Sequence, residues 1–138
     1  MKISKEIITS FIPQKQPFVM IDNLLEAAMT GFESDFLVRK DNIFVENNEL
    51  MEPGLIENIA QTCAAGFGFL QHEREEEPKI GFIGAITKLL VHSLPQINSL
   101  IHTNIAVIHQ FENVFLVKGE NFCGSNILLE CEMKIVIT

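Results

Sequence analysis

The feature that most constrains the fold is a long apolar helix candidate, which runs from Pro53 to about Glu73. Pro53 suits the first turn of a helix, where its missing N–H would have no intrahelical partner anyway. The chain then stays apolar on almost every side for about four turns, so we predict that this helix is buried. Small side chains would allow a very close approach by a wrapped sheet, namely those of Ala60, Ala64, Ala65, Gly66 and Gly68.

Most of the remaining chain has the pattern of β-strands. Before the helix, Phe18–Leu25 and Phe32–Lys40 are β-prone and are separated by a turn at Gly31, so a hairpin is predicted. A short leading helix is predicted over Ser4–Phe11, and Asp41–Glu52 is predicted to be a loop with one short extended piece. After the helix, four strands are predicted, at Ile80–Val91, Leu100–Gln110, Val114–Phe122 and Ile127–Ile137.

This order of elements predicts an α+β fold, with a long antiparallel sheet wrapped around one central apolar helix. One helix cannot cover both faces of such a sheet. The exposed edge and the remaining apolar surface therefore predict a partner subunit. The length of 138 residues predicts a single domain over residues 1–138.

Charge and composition exclude several classes of function. The chain has 18 acidic and 10 basic residues and a net charge of -8, so it lacks a broad basic surface for nucleic acid. The N-terminal stretch has Lys2, Lys5 and Glu6 and no uninterrupted apolar core, which is unlike a signal peptide. The longest apolar-rich segment, Leu55–Leu70, is interrupted by polar residues and is too short for a membrane span. A cytoplasmic location is the expectation.

The cysteines give no indication of a metal or redox site. Cys63, Cys123 and Cys131 are dispersed and have no metal-ligand spacing. Their apolar neighbours favour reduced core thiols, and we expect neither a metal nor another cofactor.

Two phrases in the sequence carry a family resemblance: "IPQKQPFVMID" at 12–22 and "PGLIENIAQTCAAGFGF" at 53–69. Over about Ile12–Ile137 the chain resembles the hot-dog-fold 3-hydroxyacyl-(acyl carrier protein) dehydratases. That family carries a proline, a catalytic histidine, two variable residues, then Pro-Phe or Pro-Met, an apolar run and an aspartate. Here the frame matches from Pro13 to Asp22, but the histidine position holds Gln14.

The second phrase is similar to the family's Pro-Gly entry to the helix and its catalytic acid within "E-x-x-A-Q". Gly54, Glu57 and Gln61 fit this pattern. The short spacing from glycine to acid and the following "CAAGFG" look more like a divergent branch associated with aryl-polyene pathways. Downstream, Leu94–Asn98 replaces the family's usual proline-glycine-aspartate turn.

The resemblance implies a specific chemistry. In the family, a histidine and an acid meet across a dimer interface, where the histidine removes the proton beside the thioester carbonyl and the acid protonates the departing hydroxyl. A helix N-terminal amide near the glycine polarises the carbonyl. A glutamine amide has no usable proton-transfer pKa, so Gln14 cannot be this general base, and its loss would remove roughly 10²–10⁴-fold in rate.

The candidate site residues follow from this comparison. Glu57 and Gln14 are the catalytic candidates, and the substrate-binding candidates are Gly54, Gln61, Phe18 and Gly84. Gln61 lies one turn beyond Glu57 on the same helix face, where it either holds Glu57 by a hydrogen bond or simply makes the helix more soluble.

Several of these assignments have a structural alternative. Glu57 also fits the ordinary preference of acids for a helix N-terminus, and Gln14 is either a substrate-orienting amide or a relic in a non-catalytic subunit. Phe18, Ile83 and Ile86 line an acyl tunnel or simply pack in the core. His72 lies about 22 Å from Glu57 along the helix, too far to share a substrate atom with it in one subunit.

Three functions remain open at this point. The first is a dehydratase-like protein that binds (3-hydroxy)acyl thioesters in fatty-acid or polyene biosynthesis, with acyl carrier protein or acyl-CoA as partner. The second is a non-catalytic subunit of a hot-dog heterodimer. The third is an acyl thioesterase that uses Glu57 and Gln14. All three imply a homo-dimer, a higher oligomer or a hetero-oligomer, without nucleic acid or a membrane span.

Overall fold

A computed structural model describes all of residues 1–138. One long helix, α1, spans Glu52–Glu73. The strands are β1 (Asn23–Ala28), β2 (Gly31–Leu37), β3 (Val45–Glu46), β4 (Glu49–Leu50), β5 (Gly81–Val91), β6 (Leu100–Phe111), β7 (Val114–Cys123) and β8 (Asn126–Ile137). The predicted long helix, the hairpin before it and the four strands after it are confirmed, but the first strand of the hairpin begins at Asn23, five residues later than the predicted start at Phe18.

Six strands form one antiparallel sheet in the order β1-β2-β6-β7-β8-β5. Alternation along the strands determines which face is buried. In β2, Phe32, Ser34 and Phe36 point inward and are buried, while in β6 Ile101 and Ile105 do the same. The small strands β3 and β4 form a separate hairpin that leads into α1.

Helix α1 packs on the inner face of the sheet, mainly against β1, β2 and β6. Two glycines allow this close approach. A Cβ at Gly66 would overlap the buried ring of Phe32, and a Cβ at Gly119 of β7 would overlap Ile59 of the helix. Of the small residues predicted to allow close packing of the sheet on the helix, Gly66 therefore has this role.

The predicted leading helix over Ser4–Phe11 is wrong, because only a 3-10 turn forms there, at Ile8–Ser10. The reason lies in tertiary pairing. Ile3 exchanges backbone hydrogen bonds with Leu24 of β1, at 3.1 and 2.9 Å, and the N–H of Lys5 donates to the side-chain oxygen of Asn23. This pairing sets the path of the chain into the segment, and a stretch of eight residues is too short to form a stable α-helix on its own.

The two edges of the sheet differ in how they are covered. The N-terminal residues shield part of the β1 edge through their bonds to Leu24. By contrast, β5 is exposed along almost its whole length on both faces, with Phe82 56% and Leu90 54% exposed. An apolar edge strand without cover is the kind of surface that pairs with another chain.

No helix in the structure is both long enough and apolar enough to cross a membrane.

Candidate active site

Gln61 is the centre of a set of hydrogen bonds that holds the candidate acid. Its side chain is fully buried on α1. The amide nitrogen donates to the carboxylate oxygen Oε2 of Glu57 and to the backbone oxygen of Phe18, both at 2.9 Å, and the amide oxygen accepts the Met20 N–H at 2.6 Å. The predicted bond between Gln61 and Glu57 is thus confirmed. Gln61 thus links the half-buried Glu57 to the 18–20 segment.

A cavity of about 410 Å³ lies along the same side of α1, closer to the C-terminal end of the helix. The 10–14 segment, the beginning of β5 and the end of β8 form its other walls. Phe67, Phe82 and Ile135 give it an apolar lining, and Gln71, Glu76 and Lys79 contribute polar groups. Its size falls within the usual range for small-ligand sites.

Gln14 lines this cavity, and its amide oxygen is buried without a hydrogen-bond donor. A buried acceptor without a partner is costly, and a ligand hydroxyl or N–H could satisfy it. An amide can orient such a group, but it cannot carry a proton between substrate atoms.

His72 also lines the cavity, a position that the spacing along the helix did not reveal. Its ring packs edge-on against Phe11, with the ring centroids 5.6 Å apart. Spacing along the helix relates His72 only to other residues of α1. Nothing in the linear sequence indicates that the 10–14 segment folds back along the end of the helix where His72 lies.

Glu57 does not line the cavity. The nearest lining residue of α1 is Ala60, one turn further along the helix. Within one chain, the structure therefore brings Gln14 and His72 to one cavity and places Glu57 and Gln61 beyond its end.

The other predicted binding residues lie outside the cavity. The N–H of Gly54 already donates to the Met51 carbonyl at 3.0 Å, and a Cβ at this position would overlap the Leu50 side chain. The Phe18 side chain is 56% exposed, and Gly84 lies at a β-bulge of β5. Contact of these three residues with a substrate remains a prediction that would involve a partner chain.

Cys63 lines the cavity and was missed as a site residue. Burial, followed by the nearby Cys131 thiol, raises the pKa of the Cys63 thiol far above its usual value. The thiol therefore stays protonated and is a poor nucleophile. No group of three or more His, Cys, Asp or Glu residues is placed to hold a metal ion.

Solved structures identify the class of fold. A chain of the dehydratase heterocomplex ApeI:P from Xenorhabdus doucetiae superposes with a TM-score of 0.86 at 17% identity, covering 95% of this chain and 90% of that one. Cj0977, a sigma28-regulated virulence protein from Campylobacter jejuni, gives 0.72 at 9% identity, covering 95% of each chain. A hypothetical thioesterase with coenzyme A from Streptococcus pneumoniae gives 0.67 at 6% identity, with 84% of each chain covered. This is the hot-dog fold, a sheet wrapped around one helix.

The family is more specific than the fold. The family model of ApeP-like proteins, described as ApeP dehydratase, matches residues 6–118. The chain belongs to this ApeP-like dehydratase family. No curated relative matches the sequence at a significant level.

Proposed function

We propose that this chain is the acid-bearing subunit of a dehydratase for 3-hydroxyacyl thioesters, and that a second hot-dog chain completes its active site. The observation that carries the proposal is the separation of two roles within the chain. Gln61 binds the Glu57 carboxylate near the start of α1, whereas Gln14, which the sequence resemblance places at the family's histidine position, lines the cavity and has no titratable group.

The missing base is the reason for a second chain. The one histidine on α1 is His72, and it lies too far away to act with Glu57, 15 residues and about 22 Å beyond it along the helix. One base and one acid that act on adjacent carbon atoms must lie within hydrogen-bond reach of the same substrate. A histidine from a partner, placed opposite Glu57, would meet this requirement.

The edge strand β5 is where we place the partner. Its apolar side chains are exposed on both faces, and Lys88 is its one charged residue. Pairing with a second hot-dog chain would cover this surface and extend the sheet. The structural relative from Xenorhabdus is a dehydratase heterocomplex, which supports a partner different from the chain itself.

The proposed reaction removes water from the acyl chain. The partner's base takes a proton from C2, the C2–C3 double bond forms as the C3–O bond breaks, and protonated Glu57 donates its proton to the leaving hydroxyl. The products are an enoyl thioester and water, and the base returns its proton to the Glu57 carboxylate through solvent. Gln61 keeps the carboxyl oriented, which is the contribution of positioning to the rate.

The cavity beside Gln14 is the proposed site for the acyl chain. Its apolar lining suits a hydrocarbon, and the unpaired oxygen of Gln14 offers an acceptor to a hydroxyl. We propose an acyl carrier protein or coenzyme A as the thioester carrier and a fatty-acid or polyene pathway as the context.

The test combines this chain with a hot-dog dehydratase chain that has histidine at the position of Gln14. Enoyl product is measured from a 3-hydroxyacyl thioester, both on a carrier protein and on N-acetylcysteamine. We expect the pair to be active and Glu57→Gln to reduce kcat by about 10²–10⁴-fold. The matched control, Glu73→Gln, changes an exposed acid at the other end of the same helix and should have no effect.

The same experiment contains the outcomes that would contradict the proposal. Equal activity of the Glu57→Gln and Glu73→Gln variants would eliminate Glu57 as the acid. Release of free thiol from an acyl thioester without a hydroxyl, dependent on Glu57 and Gln14, would instead identify a thioesterase. Gel filtration of Ile86→Lys tests the interface, because a charge in the middle of β5 should separate the two chains.

A further inference from the structure

We propose that Asn58 is the positioning residue of this site, and that it acts by joining the acid-bearing turn of α1, the segment that carries Gln14, and the sheet. The inference rests on the proposed function, since it concerns how Glu57 is presented to the substrate. Asn58 directly follows Glu57 and is fully buried between α1 and the sheet, in a core that is mostly apolar.

The side chain of Asn58 contacts three separate parts of the fold. Its amide nitrogen donates to the Met20 carbonyl at 2.7 Å. Its amide oxygen accepts a hydrogen bond from the Asn121 side chain of β7 at 2.9 Å and a short one from the Thr103 hydroxyl of β6. Each of these partners is fully buried, so water does not compete for the bonds.

Asn58 and Gln61 together fix the peptide groups around Met20. Gln61 accepts the Met20 N–H and donates to the Phe18 carbonyl, while Asn58 binds the Met20 carbonyl. The residues held in this way, Phe18 and Met20, lie four and six positions after Gln14 in the chain. Gln61 thus sets the distance between Glu57 and this segment, and Asn58 sets the position of both relative to the sheet.

An apolar residue at position 58 could not form directional hydrogen bonds to the sheet. Hydrophobic contact depends on area and leaves a helix free to rotate or slide slightly, whereas hydrogen bonds to two strands fix both its rotation and its axial position. The network is also imperfect for stability alone, because the Asn121 side-chain oxygen is buried without a donor. An unpaired buried acceptor opposes folding, so a purely apolar interface would be the more stable choice.

Thr103 offers a matched pair of variants. Thr103→Val keeps the shape and removes the hydroxyl that binds Asn58, whereas Thr103→Ser keeps the hydroxyl and removes a methyl group. Both lie on β6, outside the cavity lining. If Asn58 acts by positioning, Thr103→Val should reduce kcat in the paired assay several-fold with KM unchanged, and Thr103→Ser should not. Asn58→Ala should reduce kcat by about 10²-fold, as small misplacements of catalytic groups do.

Amide hydrogen exchange over residues 13–20 gives a readout that needs no activity. Asn58→Ala should speed exchange of this segment at least tenfold at a temperature well below the unfolding transition of the protein. Thr62→Val is the control, because it changes the same helix but leaves the side-chain bonds of Asn58 in place, and it should not speed exchange.

The possible results separate the two proposals. A wild-type pair that forms no enoyl product overturns the proposed reaction, and the exchange comparison then still decides whether Asn58 holds the 13–20 segment. If the Asn58→Ala and Thr103→Val variants lose thermal stability but keep both kcat and the exchange pattern of this segment, Asn58 is only structural and the inference is overturned.

Discussion

The hydrogen bonds of Gln61 make a quantitative prediction for Gln61→Leu. The substitution keeps the approximate volume of the side chain, so its main effect is to leave polar groups unpaired. The Met20 N–H is fully buried and would lose its acceptor, at a cost of about 1–3 kcal/mol. The Phe18 carbonyl would lose its donor on an exposed residue, which adds roughly 0.5–1.5 kcal/mol. We expect a total loss of about 2–4 kcal/mol.

For a chain of this length, roughly 3–4 °C of Tm corresponds to 1 kcal/mol, so the expected shift is about 6–16 °C. Urea unfolding followed by circular dichroism should show the same loss as a lower midpoint with an unchanged slope. All variants should be compared at one protein concentration, because association with another chain would raise the apparent stability.

Gln71→Leu is the matched control, since it removes the same side chain from the same helix. The Gln71 side chain accepts only the Lys79 N–H, at 3.2 Å, in an exposed connection. This change should cost no more than about 0.5 kcal/mol. If the two variants unfold at the same urea concentration, Gln61 does not hold the 18–20 segment, and the hydrogen bonds described for the site do not stabilise the fold.

Two further predictions concern packing and alkaline pH. Gly66→Ala should destabilise the protein by about 1–3 kcal/mol in urea unfolding despite the better helix propensity of alanine, because the new Cβ would overlap the Phe32 ring. The control is Gly84→Ala, whose Cβ would meet Lys134 at an ordinary 3.6 Å. Equal stabilities of the two variants would contradict the described packing of Gly66 on Phe32. Burial raises the pKa of Cys131 to about 11, so the folded state keeps this proton after the unfolded chain has lost it. The free energy of unfolding should therefore fall as pH rises from about 9 toward 11, and Cys131→Ala should remove part of that decline, because the buried Cys63 thiol, whose pKa is also raised, accounts for the rest.

The elements that were predicted correctly are those whose signal is local. Helix α1 has a proline at its start, small residues at its contact surface and a charge run after its end, so its bounds differ from the prediction by one residue at most. The strands after it alternate or are bounded by turn residues. The leading helix failed because its periodicity was too short to outweigh the pairing of Ile3 with Leu24, which is 21 residues away.

In the candidate site too, local contacts were predictable and long-range contacts were not. The bond between Glu57 and Gln61 was predictable, because residues four apart on a helix are neighbours. The contacts of Gln61 with Phe18 and Met20 span 43 and 41 residues and had no sequence signal. Neither did the cavity, since it forms where the 10–14 segment, α1 and β5 meet.

The sequence by itself determined the α+β order of elements, the buried helix and the acid on its first turns. These follow from residue type and short-range spacing, which the linear chain specifies directly. Only the tertiary structure decided that Gln14 and His72 line one cavity, that Glu57 lies beyond its end, and that β5 is the open edge. Such relations depend on how distant segments pack, and the same local patterns are compatible with several packings.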